Sequence, residues 1–289
     1  MSRKLQGEIA LLAAATLYGF FGVFSRYISF TIPFFYQQWI RNLFTAAAFW
    51  FLVKLFRQWK PVEQKDVLWF LLRSTCGLIS FIGIYIGFIH LPISTNYFVS
   101  YAAATIGGYA LGKLFFHEQL NWVKIVSLLC SLLGLGLIFS LTFAQDQIVY
   151  LFLIFVAGLA TAGWLTFSKK ISGTYSNLQL NLIDFAYATV VPLGISLFLR
   201  EHWIFPTFSS VWIVTMLFAI FFVAVGLLVV YGFRRVEAQK GSIIMLFDVI
   251  VGLLVGYFFY HEAVSPQALV GGAIILFAIV LPNTQIFKK

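Results

Sequence analysis

Three ionisable residues, Arg41, Asp184 and Asp248, stand inside long apolar runs. A charge at the centre of a membrane-crossing helix costs roughly 2.5–3.5 kcal/mol on insertion scales, so it is retained for a substrate, a coupled ion or an ion pair. Asp248 could carry a proton or hold a substrate amine, or it could form a static ion pair or a hydrogen bond to nearby hydroxyls. Arg41 could hold a carboxylate or bond to backbone carbonyls. Arg41 and Asp184 stand at nearly equivalent places in the two halves of the chain.

Aromatic residues are abundant, with 34 Phe, 13 Tyr and 8 Trp. A lone Phe says little here, but a phenol or an indole inside hydrocarbon needs a polar partner. Tyr18, Tyr85, Tyr97, Tyr101 and Trp164 fall in this class, and Asn96 and Ser100 add polar atoms beside two of them. Trp39, Trp59, Trp69, Trp122, Trp203 and Trp212 lie nearer run ends, where indoles anchor to the membrane interface. Gln37, Gln38 and Asn42 make the start of the second run polar, which suits an interface or, as an alternative, a gate region. His117-Glu118 and His261-Glu262 suggest metal chemistry at first sight, yet neither pair reaches the ligand count of a site, and each reads better as a helix end. The chain has no GxxxxGK[ST] phosphate loop and no Ser/His/Asp or Cys/His constellation, so neither an enzyme nor a cofactor is expected. Cys76 and Cys130 sit singly in apolar runs and form no disulfide framework.

The elements that carry these residues follow from composition. The 289 residues are 61% hydrophobic and 10% charged, with mean hydropathy +0.95. Soluble domains carry about 25% charged residues. In a bilayer the backbone must satisfy its own hydrogen bonds, which leaves helices or a closed barrel. Barrel strands alternate over about ten residues, whereas these runs are apolar on every face for about twenty. Ten helices are expected, over 8–28, 34–56, 67–89, 93–116, 122–143, 148–169, 178–199, 208–232, 237–260 and 264–282. With the N-terminus cytoplasmic, sixteen of the nineteen Lys and Arg residues, Arg73 among them, fall on the cytoplasmic side. Only Arg26 and Arg200 lie opposite, and Arg41 is inside a helix. The positive-inside rule supports this count and places both termini in the cytoplasm. It also accounts for the net charge of +9 without nucleic-acid binding. Arg3 and Lys4 precede an apolar run, but Arg26 and Tyr27 follow it where a cleavage site would stand, so no cleaved signal peptide is expected.

The chain overlays on itself at an offset of 144. Phe115-Phe116-His117-Glu118 meets Phe259-Tyr260-His261-Glu262, and Gly19 meets Gly163. Gly108 and Gly112 meet Gly252 and Gly256; with Gly83 and Gly87 these are small-xxx-small faces that let helix backbones approach. The copies span 1–144 and 145–289. Five helices is an odd number, so the copies are inverted, a frequent transporter plan.

These features together resemble the drug/metabolite transporter superfamily, in its EamA-type branch, over the whole chain. The marks are Leu17-Tyr18-Gly19 closing a first helix, Arg41 in the second, and glycine-rich fourth and ninth helices ending on Glu118 and Glu262. Asp248 falls about where members often carry an acid beside a ninth-helix proline. Neither the fourth nor the ninth helix has that proline here, so the kinks it produces are not implied. The resemblance implies an integral protein of the bacterial inner membrane that moves small metabolites, amino acids or related compounds, outward or by exchange. It implies a central cavity to which Tyr18, Tyr85, Asn96, Tyr97, Ser100, Tyr101, Trp164, Met245 and Asp248 would contribute. The expected partners are the lipid bilayer, a small-molecule substrate and a coupling proton, with the chain as monomer or homodimer. The aromatic lining with Asp248 leaves open an exchanger of a nucleoside-like or cationic metabolite, such as an adenosyl compound. A lipid-modifying membrane enzyme is the reading of another class, and four scattered histidines give it little to work with.

Overall fold

The computed structural model describes residues 2–91, 93–139, 147–261 and 263–283. Every regular element among them is helical. In chain order they are α1 (Arg3–Tyr18), α2 (Phe21–Ser29), α3 (Phe34–Leu55), α4 (Gln64–His90), α5 (Ile93–Phe116), α6 (Trp122–Ile138) and α7 (Ile148–Thr166). Then come α8 (Ser168–Ile171), α9 (Asn177–Phe198), α10 (Ser210–Phe233), α11 (Ala238–Met245), α12 (Phe247–Tyr260) and α13 (Pro266–Val280), before a 3-10 turn at Leu281–Asn283. The breaks fall where side chains or local chemistry can satisfy helix ends. Ser2, Asn121, Ser176 and Ser265 each accept a hydrogen bond from the amide three residues on, the usual N-cap.

Among the described residues, six helical stretches are long and apolar enough to cross a membrane: Arg3–Ser29, Gln64–Gly87, Ile148–Ile171, Asn177–Phe198, Ser210–Phe233 and Ala238–Phe259. Trp122–Ile138 and Pro266–Val280 are shorter apolar helices. The helices α3 and α5 are long but more polar, through Gln37, Gln38, Arg41 and Asn42 in one and Asn96 with three tyrosines in the other. The outer surface is apolar: Phe51, Leu133, Phe152, Phe198, Ile220 and Phe258 are all exposed, as expected where lipid is the solvent.

The packing treats the two halves alike. The second helix of one half lies along the second of the other, as α3 on α9, and the fifth on the fifth, as α6 on α13. The pair α4 with α7 has its counterpart in α10 with α1. Helix ends repeat as well. Among the described residues, four non-glycine residues have positive φ: Arg57 and Arg200, then His117 and His261. Each pair is related by the sequence offset or within one residue of it. Gln58 N to Val53 O and Glu201 N to Ser196 O repeat the same closing hydrogen bond, the Schellman pattern at a helix C-terminus.

Three features depart from the sequence reading. The first, sixth and ninth expected helices are each interrupted, at Gly19-Phe20, Phe167 and Leu246. Gln37, Gln38 and Asn42 face the protein interior rather than the surface. Trp212 is buried too, and Trp39 and Trp203 pack with Tyr36 at ring centroids 5.3 and 5.7 Å away. Trp203, like Trp59 and Trp122, remains exposed. Of the repeated motif residues, Glu262 lies outside those described.

Candidate functional site

The site is built where two interrupted helices meet. At Gly19 the chain leaves α1, and a Cβ placed there would stand 2.5 Å from the Val251 side chain and 3.1 Å from the Asp248 carbonyl oxygen. Only glycine permits that approach. At Leu246 the chain leaves α11 and starts α12, which puts Asp248 in the first turn of α12. Helix N-termini favour anionic groups. No proline makes this break: Leu246 N bonds to Ile243 O at 3.0 Å and Val249 N to Leu246 O at 3.1 Å, a locally tightened turn. The fourth helix, α5, is uninterrupted.

Asp248 has one side-chain partner among the described residues. Tyr101 Oη donates to its Oδ2 at 3.0 Å. Its other oxygen, Oδ1, is covered yet has no hydrogen-bond partner. Tyr97 stacks beside Tyr101 at 6.0 Å and against Phe139 at 5.8 Å. Tyr18 stands across from them, next to the break. Its hydroxyl is also covered and unpartnered, and it lies within electrostatic reach of Asp248, Asp184, Arg41 and Arg73. The sequence-expected residues Tyr18, Tyr97, Tyr101 and Asp248 are therefore brought together from α1, α5 and α12.

Arg41 is 2% exposed. Its guanidinium lies 4.7 Å from the Phe218 ring and 4.6 Å from the Phe222 ring and donates to Gln38 Oε1, while Nε has no partner. Phe222 meets Tyr18 edge-on at 6.4 Å, which links the Arg41 pocket to the Asp248 cluster.

Asp184 has a different fate. Ser74 Oγ donates to Oδ1 at 2.8 Å, Trp164 Nε1 donates to Oδ2 at 2.6 Å, and Arg73 Nη1 lies 3.4 Å from Oδ2. Arg73 also donates to Leu180 O and Asn181 Oδ1. Arg73 is thus no topology charge at a helix end. It is 1% exposed and stands within α4, a buried ion-pair partner that the charge count concealed. Its position inside the expected third run was the clue. Trp164, expected at the cavity, is held in this network by its indole.

The remaining expected residues go elsewhere. Tyr85 stacks on Phe34 at 3.5 Å in a surface recess of about 430 Å³ at the turn between α2 and α3. Asn96 donates to Ile84 O of α4 at 2.9 Å, and Ser100 to Tyr97 O of its own helix at 3.1 Å. Met245 is buried in the main apolar cluster, against which Tyr18 and Tyr101 also pack. Gly83 and Gly87 let α4 approach α7 at Ala157 and Ile154, and Gly108 and Gly112 let α5 approach α11 at Ser242 and Gln239. Gly252 is not in tight packing, with only Gly19 O at 3.9 Å near its missing Cβ. Gly256 O accepts the amide of His261 at the end of α12.

One end of the bundle is tied by ion pairs that sequence reading passed over. Glu118 Oε1 accepts from Lys169 Nζ at 2.7 Å and from Ala238 N at 2.7 Å, and Oε2 from Gln239 N at 3.1 Å. The end-turn residue thereby caps α11 and joins it to α5 and α8. Lys240 pairs with Glu8 at 2.5 Å and Lys124 with Glu237 at 2.9 Å. Among the described residues no group of three His, Cys, Asp or Glu could hold a metal.

A model of the EamA-like transporter family matches residues 5–140 and again 148–284. No curated protein matches the sequence. A solved structure described only as the crystal structure of a protein superposes with a TM-score of 0.82 at 14% identity, over 98% of this chain and 99% of that one. At that identity the likeness speaks for the fold alone.

Proposed function

The chain belongs to the EamA-like transporter family, of the drug/metabolite transporter type, and from that premise we propose that it is a secondary transporter of amino acids or related small metabolites. It works by alternating access between two inverted five-helix halves, with ten spans, both termini cytoplasmic, in a bacterial inner membrane. The observation that carries this reading is the cluster at Asp248. A carboxylate with an unpartnered oxygen sits where interrupted helices from the two halves meet, the place such folds reserve for a substrate or coupling ion.

On this topology the Glu118, Glu8 and Glu237 ion pairs close the cytoplasmic side. Opening that side requires the α11 N-terminus to leave Glu118, while Asp248 takes substrate and a coupling proton in exchange. The decisive measurement is counterflow of labelled amino acids in proteoliposomes. Saturable exchange for at least one member is expected, and none for a full panel overturns the amino-acid reading.

A further inference from the structure

We infer that Asp248, Tyr18, Tyr97 and Tyr101 form a binding pole for an organic ammonium group, so that the substrate must carry a positively charged nitrogen. The inference rests on the transport reading and narrows it to a chemical class. The count of hydrogen-bonding atoms argues for it. A primary ammonium has three N–H donors and no acceptor. The site offers Oδ1 of Asp248 and Oη of Tyr18, both covered and unpartnered. The lone pairs of Tyr101 Oη make a third acceptor, since its hydrogen is already given to Asp248 Oδ2 at 3.0 Å.

The walls argue for it as well. Tyr97 and Tyr101 stack at 6.0 Å with planes 25° apart, and Phe139 extends the stack. Aromatic faces beside a carboxylate attract a cation through their quadrupoles, most strongly where water is excluded. A site that served a proton alone would gain nothing from them. No resident cation occupies this role: Arg73 is engaged by Asp184, and among the described residues no Lys or Arg lies within ion-pair distance of Asp248. The remaining nearby charge, Arg41, is held by Gln38, Phe218 and Phe222 on the far side of the Phe222–Tyr18 contact.

Three probes of one size test this on the purified, detergent-solubilised chain: phenethylamine, 2-phenylethanol and 3-phenylpropionate. Ligand-induced thermal stabilisation is the readout, and cation binding is expected to raise the melting temperature only for phenethylamine. Asp248→Asn should weaken that binding by at least about tenfold, roughly the loss of a single charge-assisted contact. Tyr97→Leu should weaken it by about the same factor through the lost aromatic face. Asp248→Glu keeps the charge, and its retention of phenethylamine binding shows that an effect of Asp248→Asn is not misfolding. Equal stabilisation by the neutral alcohol or the anion overturns the proposal, as do full binding by Asp248→Asn and failure of phenethylamine to bind the wild-type chain. Amino-acid counterflow that phenethylamine leaves untouched removes the ammonium pole and keeps the transporter. Phenethylamine binding without counterflow of any amine or amino acid does the reverse.

Discussion

Asp184 and Asp248 are the same residue type, each buried in the second half, one inside α9 and the other in the first turn of α12, and the fold treats them in opposite ways. Asp184 receives a serine hydroxyl, an indole N–H and an arginine. Asp248 receives one tyrosine hydroxyl and keeps an oxygen without a partner. Burying a carboxylate is tolerable when it is paired with a cation and hydrogen-bonded on both oxygens, and Asp184 meets that condition. It acts as a fastener between α4, α7 and α9. Asp248 meets it only in part, which is what the proposed ammonium pole requires.

The largest effect is expected at Asp184. Asp184→Ala leaves Arg73 buried without its counter-charge and should destabilise the protein by about 3–5 kcal/mol, read by thermal unfolding in detergent. The double variant Arg73→Met with Asp184→Leu should recover most of that loss. A fully stable single variant would make Asp184 a second functional acid. Next in size is Trp164→Phe, which removes one bond to a charged acceptor and should cost about 1.5–3 kcal/mol; transport by the surviving folded protein should persist. Asp248→Asn, by contrast, should change stability by less than about 1 kcal/mol, because its hydrogen bond to Tyr101 survives in neutral form. Its transport should fall by at least about tenfold, measured as initial counterflow rate. A stability loss as large as that of Asp184→Ala would erase the distinction. The smallest effect is expected far from both acids. Arg57 and Arg200 close helices with φ of 53° and 51°, a conformation glycine adopts without a Cβ penalty. Replacing either by Gly should stabilise by up to about 1 kcal/mol, and by equal amounts in the two halves, with no change in transport.

Much of this was legible in the chain before any coordinates. Hydrocarbon-length runs and the offset of 144 announced a helical membrane protein in two copies, because solvent and symmetry act on whole segments. Tyr18, Tyr97, Tyr101 and Asp248 could be singled out because a polar group in hydrocarbon demands a reason. What could not be read was partnership. Arg73 looked like a topology charge because sequence position does not say which way a side chain turns within a helix. Trp164 and Asp184 were expected separately and are bonded to each other. Glu118 looked like an end turn, since its second role depends on α8 and α11, distant in sequence. Tyr85 shares its residue type with the cluster but emerges at the α2–α3 turn.

The tightened turn at Leu246 has a consequence of its own. A proline kink is permanent, because the missing amide hydrogen cannot be restored. Here each residue through the turn keeps its N–H, and the dihedrals at Leu246 stay in the right-handed helical region. Re-forming the ordinary i to i−4 pattern requires only a change of acceptor, with no isomerisation and no lost donor. The bend beside Asp248 is thus a setting rather than a fixture. Straightening it would rotate the acid relative to α11 by part of a helical turn. Leu246→Pro would lock the setting, and a chain so locked should bind a ligand at Asp248 yet fail to carry it across.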